Sequence, residues 1–184
     1  MIDPKNIINY DRSDRELEIF WLFCIMVAGK NADQTAAKLD ALTRDAPQDA
    51  SIIRWLATGG SLDAKLREHR IGQYARISQA IYDSVDLDLR NDSVGQLMVF
   101  GVGPKTARFF VLYTRRGAKV AVLDTHILRW MRERFGLAAT PKATPQAKVY
   151  AHHEAVALKL IDQTYPGLTV AEADLRIWTE MSGR

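Results

Sequence analysis

The sequence predicts an all-α chain, on three observations. Apolar residues recur at helical spacing along most of its length. Strand signals are few, and no run has a visible partner strand. Helix starts and stops also alternate, with Ser, Asp or Asn ahead of the apolar runs and Gly or Pro behind them. At 184 residues, 47% hydrophobic and 26% charged, the chain can bury a substantial core as one domain or two small lobes. The formal charge of +3 and a pI near 9.0 suit a polyanionic partner without proving one.

Residues 1–12 are polar with scattered apolar side chains and read as an arm packed against the domain. Ser13 or Asp14 caps a helix through about Ala28, with Glu16 in its first turn and Gly29 at its end. After the turn Lys30-Asn31-Ala32, Asp33 opens an amphipathic helix with Ala36, Leu39 and Leu42 on one face. Pro47 breaks the chain. Ile52 to Leu56 reads as a short helix stopped by Gly59-Gly60, and Ser61 caps another through about His69. Gln73 to Ser84 is helical with Ile77 and Ile81 inward, and Asn91, Asp92 or Ser93 caps Val94–Phe100. Lys105–Thr114 is the next helix, and Val120–Leu123 is extended, apolar and read as buried coil. Thr125–Phe135 ends at Gly136, and residues 137–145, with Pro141 and Pro145, form a linker. A helix over Gln146–Thr164 and a capping box at Thr169 and Glu172 complete the chain.

The run Ile19–Val27 is too short to span a bilayer, and residues 1–15 are too polar for a signal peptide, so a cytoplasmic place beside the chromosome is expected. Cys24 lies in that run as a buried, inert thiol, and a lone cysteine excludes internal disulfides.

The stretch Leu97–Arg129 organises the rest. In Phe100-Gly101-Val102-Gly103-Pro104-Lys105-Thr106-Ala107, two glycines allow left-handed backbone and close approach, and Pro104 sits where a helix begins. Bare amides beside that helix start suit a DNA phosphate. Asp124 follows Lys105 by nineteen residues, just before the next helix. Lysines and arginines gather from Lys105 to Arg134; a run of charge is ordinarily a solvated face, but its coincidence with the hairpin favours DNA.

Hairpin, lysine and aspartate together resemble the helix–hairpin–helix DNA glycosylase superfamily in its glycosylase/lyase branch. Val122-Leu123-Asp124-Thr125-His126-Ile127-Leu128-Arg129 and Asp174-Leu175-Arg176-Ile177-Trp178 are similar to the compact type-2 8-oxoguanine DNA glycosylases. The resemblance implies two helical lobes around a cleft, roughly 1–30 with 137–184 and 31–136, in one glycosylase domain without an iron–sulfur cluster. It implies excision of 8-oxoguanine and strand cleavage by β-elimination. The expected partner is double-stranded DNA carrying an oxidised base, met by a monomer and away from membranes. No cofactor or catalytic metal is expected, and a monovalent cation at the hairpin is left open.

Lys105 is the expected nucleophile, since a neutral amine attacks C1′ of a nucleotide and leaves a Schiff base. A lysine at a helix start also grips phosphate; Asp124 tips the balance to catalysis. Asp124 would stabilise positive charge at C1′ while also capping the Thr125 helix. Gly101, Val102, Gly103 and Thr106 are assigned to phosphate. The resemblance gives base recognition to Asp174, Trp178 and the terminal Arg184, and gap-filling to Lys30 or Asn31 after the first helix. Trp21, Trp55 and Trp130 read as packing, and His126 as structural or phosphate-facing. Thr125 departs from the arginine of the type-2 pattern and is more like the endonuclease III branch, which removes oxidised pyrimidines. That branch is one alternative function, and a non-catalytic hairpin module that binds DNA is the other.

Overall fold

The structure is a computed structural model describing residues 2–3 and 7–183. Among them lie nine helices and no strand: α1 (Asp14–Val27), α2 (Ala32–Thr43), α3 (Ile52–Thr58), α4 (Leu62–Glu68), α5 (Tyr74–Asp83), α6 (Pro104–Thr114), α7 (Thr125–Phe135), α8 (Ala147–Thr164) and α9 (Val170–Ser182). Among the described residues, no helix is long and apolar enough to cross a membrane.

Local chemistry explains most boundaries. Ser13 and Glu16 close a capping box on α1, and Thr169 and Glu172 close another on α9. Asn31, Ser51 and Ser61 each accept a backbone N–H at the start of α2, α3 and α4. The arm is held as expected. Arg12 donates to the carbonyls of Ile7 and Tyr113 at 2.8 Å each, and its guanidinium lies 4.1 Å over the Phe20 ring.

Two apolar cores form. The first gathers α1 to α6, with Trp21, Phe20 and Phe110 ring against ring at its centre. The second gathers α7, α8 and α9 around Trp130, Met131 and Tyr165. This differs from the expected pairing of residues 1–30 with 137–184. The reason lies in α1, whose residues from Phe20 to Met26 are buried all round, so it sits inside the first core. Helix α7, expected with the middle helices, packs instead on α9 and α8.

Between the cores runs the extended segment 120–123. Ala121 and Leu123 face the second core and Val122 the first, an alternation set by the two-residue period of extended backbone.

The hairpin differs in one respect from expectation. Val94–Phe100 makes a single turn, closed by Leu97 N–H donating to the Ser93 carbonyl at 3.0 Å. Ser93 and Gln96 cap it mutually, yet Gly95 and three following residues give no second turn to propagate it. What fixes the hairpin is Arg76 of α5. It donates to the carbonyls of Gly101 at 2.7 Å and of Ile25 at 2.8 Å, tying the turn to the end of α1.

Gly101 has φ +75°, and a Cβ there would lie 2.7 Å from Arg76 Cγ and 3.1 Å from its carbonyl oxygen. Gly101→Ala is therefore expected to cost about 1–3 kcal/mol, read as a lower melting temperature. Gly103→Ala is expected to melt with the wild type, because its φ is −83° and nothing lies within 4 Å of an added Cβ. Equal melting temperatures for all three proteins would contradict this division of roles.

Candidate active site

Helix α6 begins without a side-chain cap. Gly103 is its exposed N-cap and Pro104 its first residue, so the positive end of the helix opens outward through bare backbone. The four residues expected at phosphate share this edge unequally. Gly103 is open, Thr106 is half-buried, Val102 is buried in the first core, and the Gly101 carbonyl is taken by Arg76. Lys105, half-buried, stands in the first turn.

Asp124 is the N-cap of α7. Its Oδ1 alone accepts the N–H groups of His126 at 2.8 Å and Ile127 at 2.9 Å. The carboxylate is thereby fixed in orientation while Oδ2 stands outside the cap. Tight local geometry leads into it, since Asp124 N–H donates to the Val122 carbonyl at 2.7 Å.

Asp174 of α9 joins these two groups. It is buried, and the buried Tyr113 hydroxyl of α6 donates to its Oδ2. Burial lifts the Asp174 carboxyl to about 7; the Tyr113 hydrogen bond opposes this, the Asp124 charge reinforces it, and the Lys105 charge opposes it. Amine and both carboxyls thus share one electrostatic neighbourhood. Burial, with Asp174 beside it, pushes the Tyr113 phenol far up, so Tyr113 stays neutral and donates.

Trp178 lies one turn beyond Asp174 but in different surroundings. It is 38% exposed and meets the His126 ring edge-on at 5.9 Å, which gives His126 a packing role. Arg184 lies outside the described residues. The Lys30 amine donates to the Ile71 carbonyl at 2.7 Å, and the Asn31 side chain caps α2 at 3.0 Å. Both line a cavity of about 140 Å³ with Gln34 and Lys38. Trp21 and Trp130 are buried packing residues, and Trp55 lies under the Lys65 amine at 4.3 Å. Among the described residues, no three His, Cys, Asp or Glu side chains gather in a way that could hold a metal ion.

The sequence matches no protein-family model. The structure is similar to the 8-oxoguanine glycosylase/lyase of Methanocaldococcus jannaschii, solved in complex with a 15mer DNA containing 8-oxoguanine. The TM-score is 0.69 at 20% identity, over 95% of this chain and 84% of that one. It is also similar to the 8-oxoguanine DNA glycosylase of Thermotoga maritima, at TM-score 0.68 and 23% identity, over 95% of this chain and 83% of that one. This chain has the glycosylase fold.

Sequence reasoning missed Tyr113, whose hydroxyl bonds Asp174, and the cluster of Arg108 with Glu154 at 2.7 Å and the Tyr150 ring at 4.3 Å. Side chains whose partners sit on separate elements carry no spacing signal in the sequence. Phe100, 64% exposed at the hairpin tip, was visible only as part of the turn.

Because folding raises the Asp174 pKa from 3.8 to about 7, the folded state binds that proton more tightly than the unfolded chain. The stability it contributes is fully present below the lower value and is lost as pH rises through the higher one. Asp174→Asn is expected to gain on the wild type from about pH 4 to about pH 7 and to level off above. Urea unfolding across that range checks it; a difference independent of pH contradicts it.

Proposed function

We propose that this protein excises 8-oxoguanine from double-stranded DNA and cleaves the strand at the abasic site. One observation carries the reading: Lys105, in the first turn of an uncapped hairpin helix, and Asp124, the cap of α7, both lie near the buried Asp174 and act on its charge in opposite directions. The shared fold with two 8-oxoguanine glycosylases supports it.

In this reading the DNA backbone rests on Gly101, Val102, Gly103 and Thr106, where the end of α6 offers positive potential. The damaged nucleotide leaves the stack at a cost of a few kcal/mol. Trp178 stacks on the extruded purine, and Asp174, through the oxygen not bonded to Tyr113, accepts from its N–H edge. Arg184 closes on the same base. The turn of Lys30 and Asn31 fills the gap, Lys30 releasing the Ile71 carbonyl as it moves.

The neutral Lys105 amine then attacks C1′. The N–C1′ bond forms as the bond from C1′ to the base breaks, and the electron pair leaves with the purine, which gains a proton. Asp124 stabilises the cationic character at C1′ on the way. Opening of the sugar ring gives a Schiff base, and loss of the C2′ proton expels the 3′ phosphate. The two cores form the lips of one such domain, acting as a monomer on chromosomal DNA in the cytoplasm. Removal of oxidised pyrimidines is the second reading, favoured by Thr125 between Asp124 and His126.

Borohydride trapping on duplexes carrying 8-oxoguanine, thymine glycol or uracil tests the proposal. A covalent adduct is expected with 8-oxoguanine, and none with Lys105→Gln. An adduct confined to thymine glycol moves the assignment to pyrimidines, and binding without any adduct leaves a DNA-gripping module. Asp124→Asn is expected to keep duplex affinity within about threefold and to lose 10²-fold or more in turnover, the order seen when one charge-stabilising group is removed. Equal loss of binding and turnover would reduce Asp124 to a helix cap.

A further inference from the structure

We propose that Arg108, Glu154 and Tyr150 are positioning residues that set Asp124 against Lys105, an inference that rests on the function proposed above. Lys105 and Arg108 stand one turn apart on α6. Arg108 Nε donates to Glu154 Oε1 at 2.7 Å, and the two side chains are only 14% and 12% exposed. The same guanidinium lies 4.3 Å over the Tyr150 ring, one turn before Glu154 on α8.

Both α8 residues then grip the segment that ends at Asp124. Glu154 Oε1 accepts the Ala121 N–H at 3.0 Å. Tyr150 Oη accepts the Leu123 N–H at 2.8 Å and donates its own proton to the Ala121 carbonyl at 3.0 Å. Burial keeps the Tyr150 phenol protonated by pushing it well up, so it retains that proton to donate. No strand pairs with residues 120–123, and their buried backbone groups need partners. Side chains of α8 supply them.

Hydrogen bonds therefore run from the helix of the amine through Arg108 and Glu154 to the Ala121 backbone, and from there through Tyr150 to Leu123, the residue before the carboxylate. The route reaches from the helix that bears Lys105 to the backbone of Leu123, next to Asp124, and so sets how the two groups stand to each other. Misplacement of a catalytic group by about 1 Å costs on the order of 10²-fold in rate. Tyr113 links α6 to α9 through Asp174, and the hydrogen bonds to the segment come from α8.

The test uses the full chain with an 8-oxoguanine duplex. Tyr150→Phe keeps the ring under Arg108 and removes the hydroxyl from Leu123 and Ala121. Glu154→Gln keeps an acceptor for Ala121 N–H and drops the ion pair. Tyr165→Phe removes a hydroxyl bonded to Glu180 in the same core, away from the segment, and measures the effect of simple loosening. Single-turnover base release is compared with duplex affinity, measured in the Lys105→Gln background where no turnover occurs.

Tyr150→Phe is expected to slow base release by about 10- to 100-fold with affinity within about twofold. Glu154→Gln is expected to lose less than Glu154→Ala, and Tyr165→Phe to keep the wild-type rate. Parallel losses of rate and affinity, or a Tyr150→Phe rate equal to that of Tyr165→Phe, overturn the inference while the proposed function stands. A wild type that forms no borohydride adduct on any lesion overturns both.

Discussion

The two cores are locked in register by buried polar contacts, and the geometry of the site depends on that lock. Apolar packing is strong but non-directional, so on its own it would let two small cores slide against each other. Hydrogen bonds have narrow distance and angle limits. Tyr113 to Asp174 and Arg108 to Glu154 both run from α6 to a helix of the second core; the first pair is buried at both ends, and the second is only 14% and 12% exposed. Breaking such a pair by removing one member typically costs about 3–5 kcal/mol, because the other is stranded in a dry place. Slippage that separates these groups carries the same penalty. Helix α6, which bears Lys105, is thereby held against the helices that surround Asp124.

The extended segment converts this lock into an address for one carboxylate. Its side chains alternate between the cores, Val122 to one and Ala121 and Leu123 to the other. Its backbone takes partners from α8 and from Thr144, whose hydroxyl donates to the Leu123 carbonyl at 3.1 Å. A β-strand would need a neighbour that this fold does not supply. Ala121 and Leu123, held by side chains, do the same job, and Asp124 then passes directly into the cap of α7.

Helix boundaries were legible in the sequence because caps act within three or four residues of themselves. Ser13, Ser61, Thr169 and Gly136 could be read for that reason, and so could the extended run 120–123 without a partner strand. The hairpin was legible as two glycines, but only the structure separates them, with Gly101 held by the approach of Arg76 and Gly103 left open. The grouping of helices was not legible. Helix α1 is apolar nearly all round, and such a helix announces burial without saying in which core. Tyr113, Tyr150 and Arg108 carry no local signal, because their partners lie on other helices or in the extended segment, 61, 27 to 29 and 46 residues away. Asp174 and Trp178 stand one turn apart on α9. Helical spacing does not reveal that one carboxyl oxygen is bonded inward to Tyr113 while the indole meets His126 near the surface.

The account stands on one amine acting as the nucleophile. Its most direct measurement is peptide mapping by mass spectrometry of the complex reduced with borohydride on an 8-oxoguanine duplex. The sugar remnant is predicted on the peptide carrying Lys105, and on no other lysine. A remnant on Lys30, Lys119 or the terminal amine, with Lys105 unmodified, would contradict the account at its base.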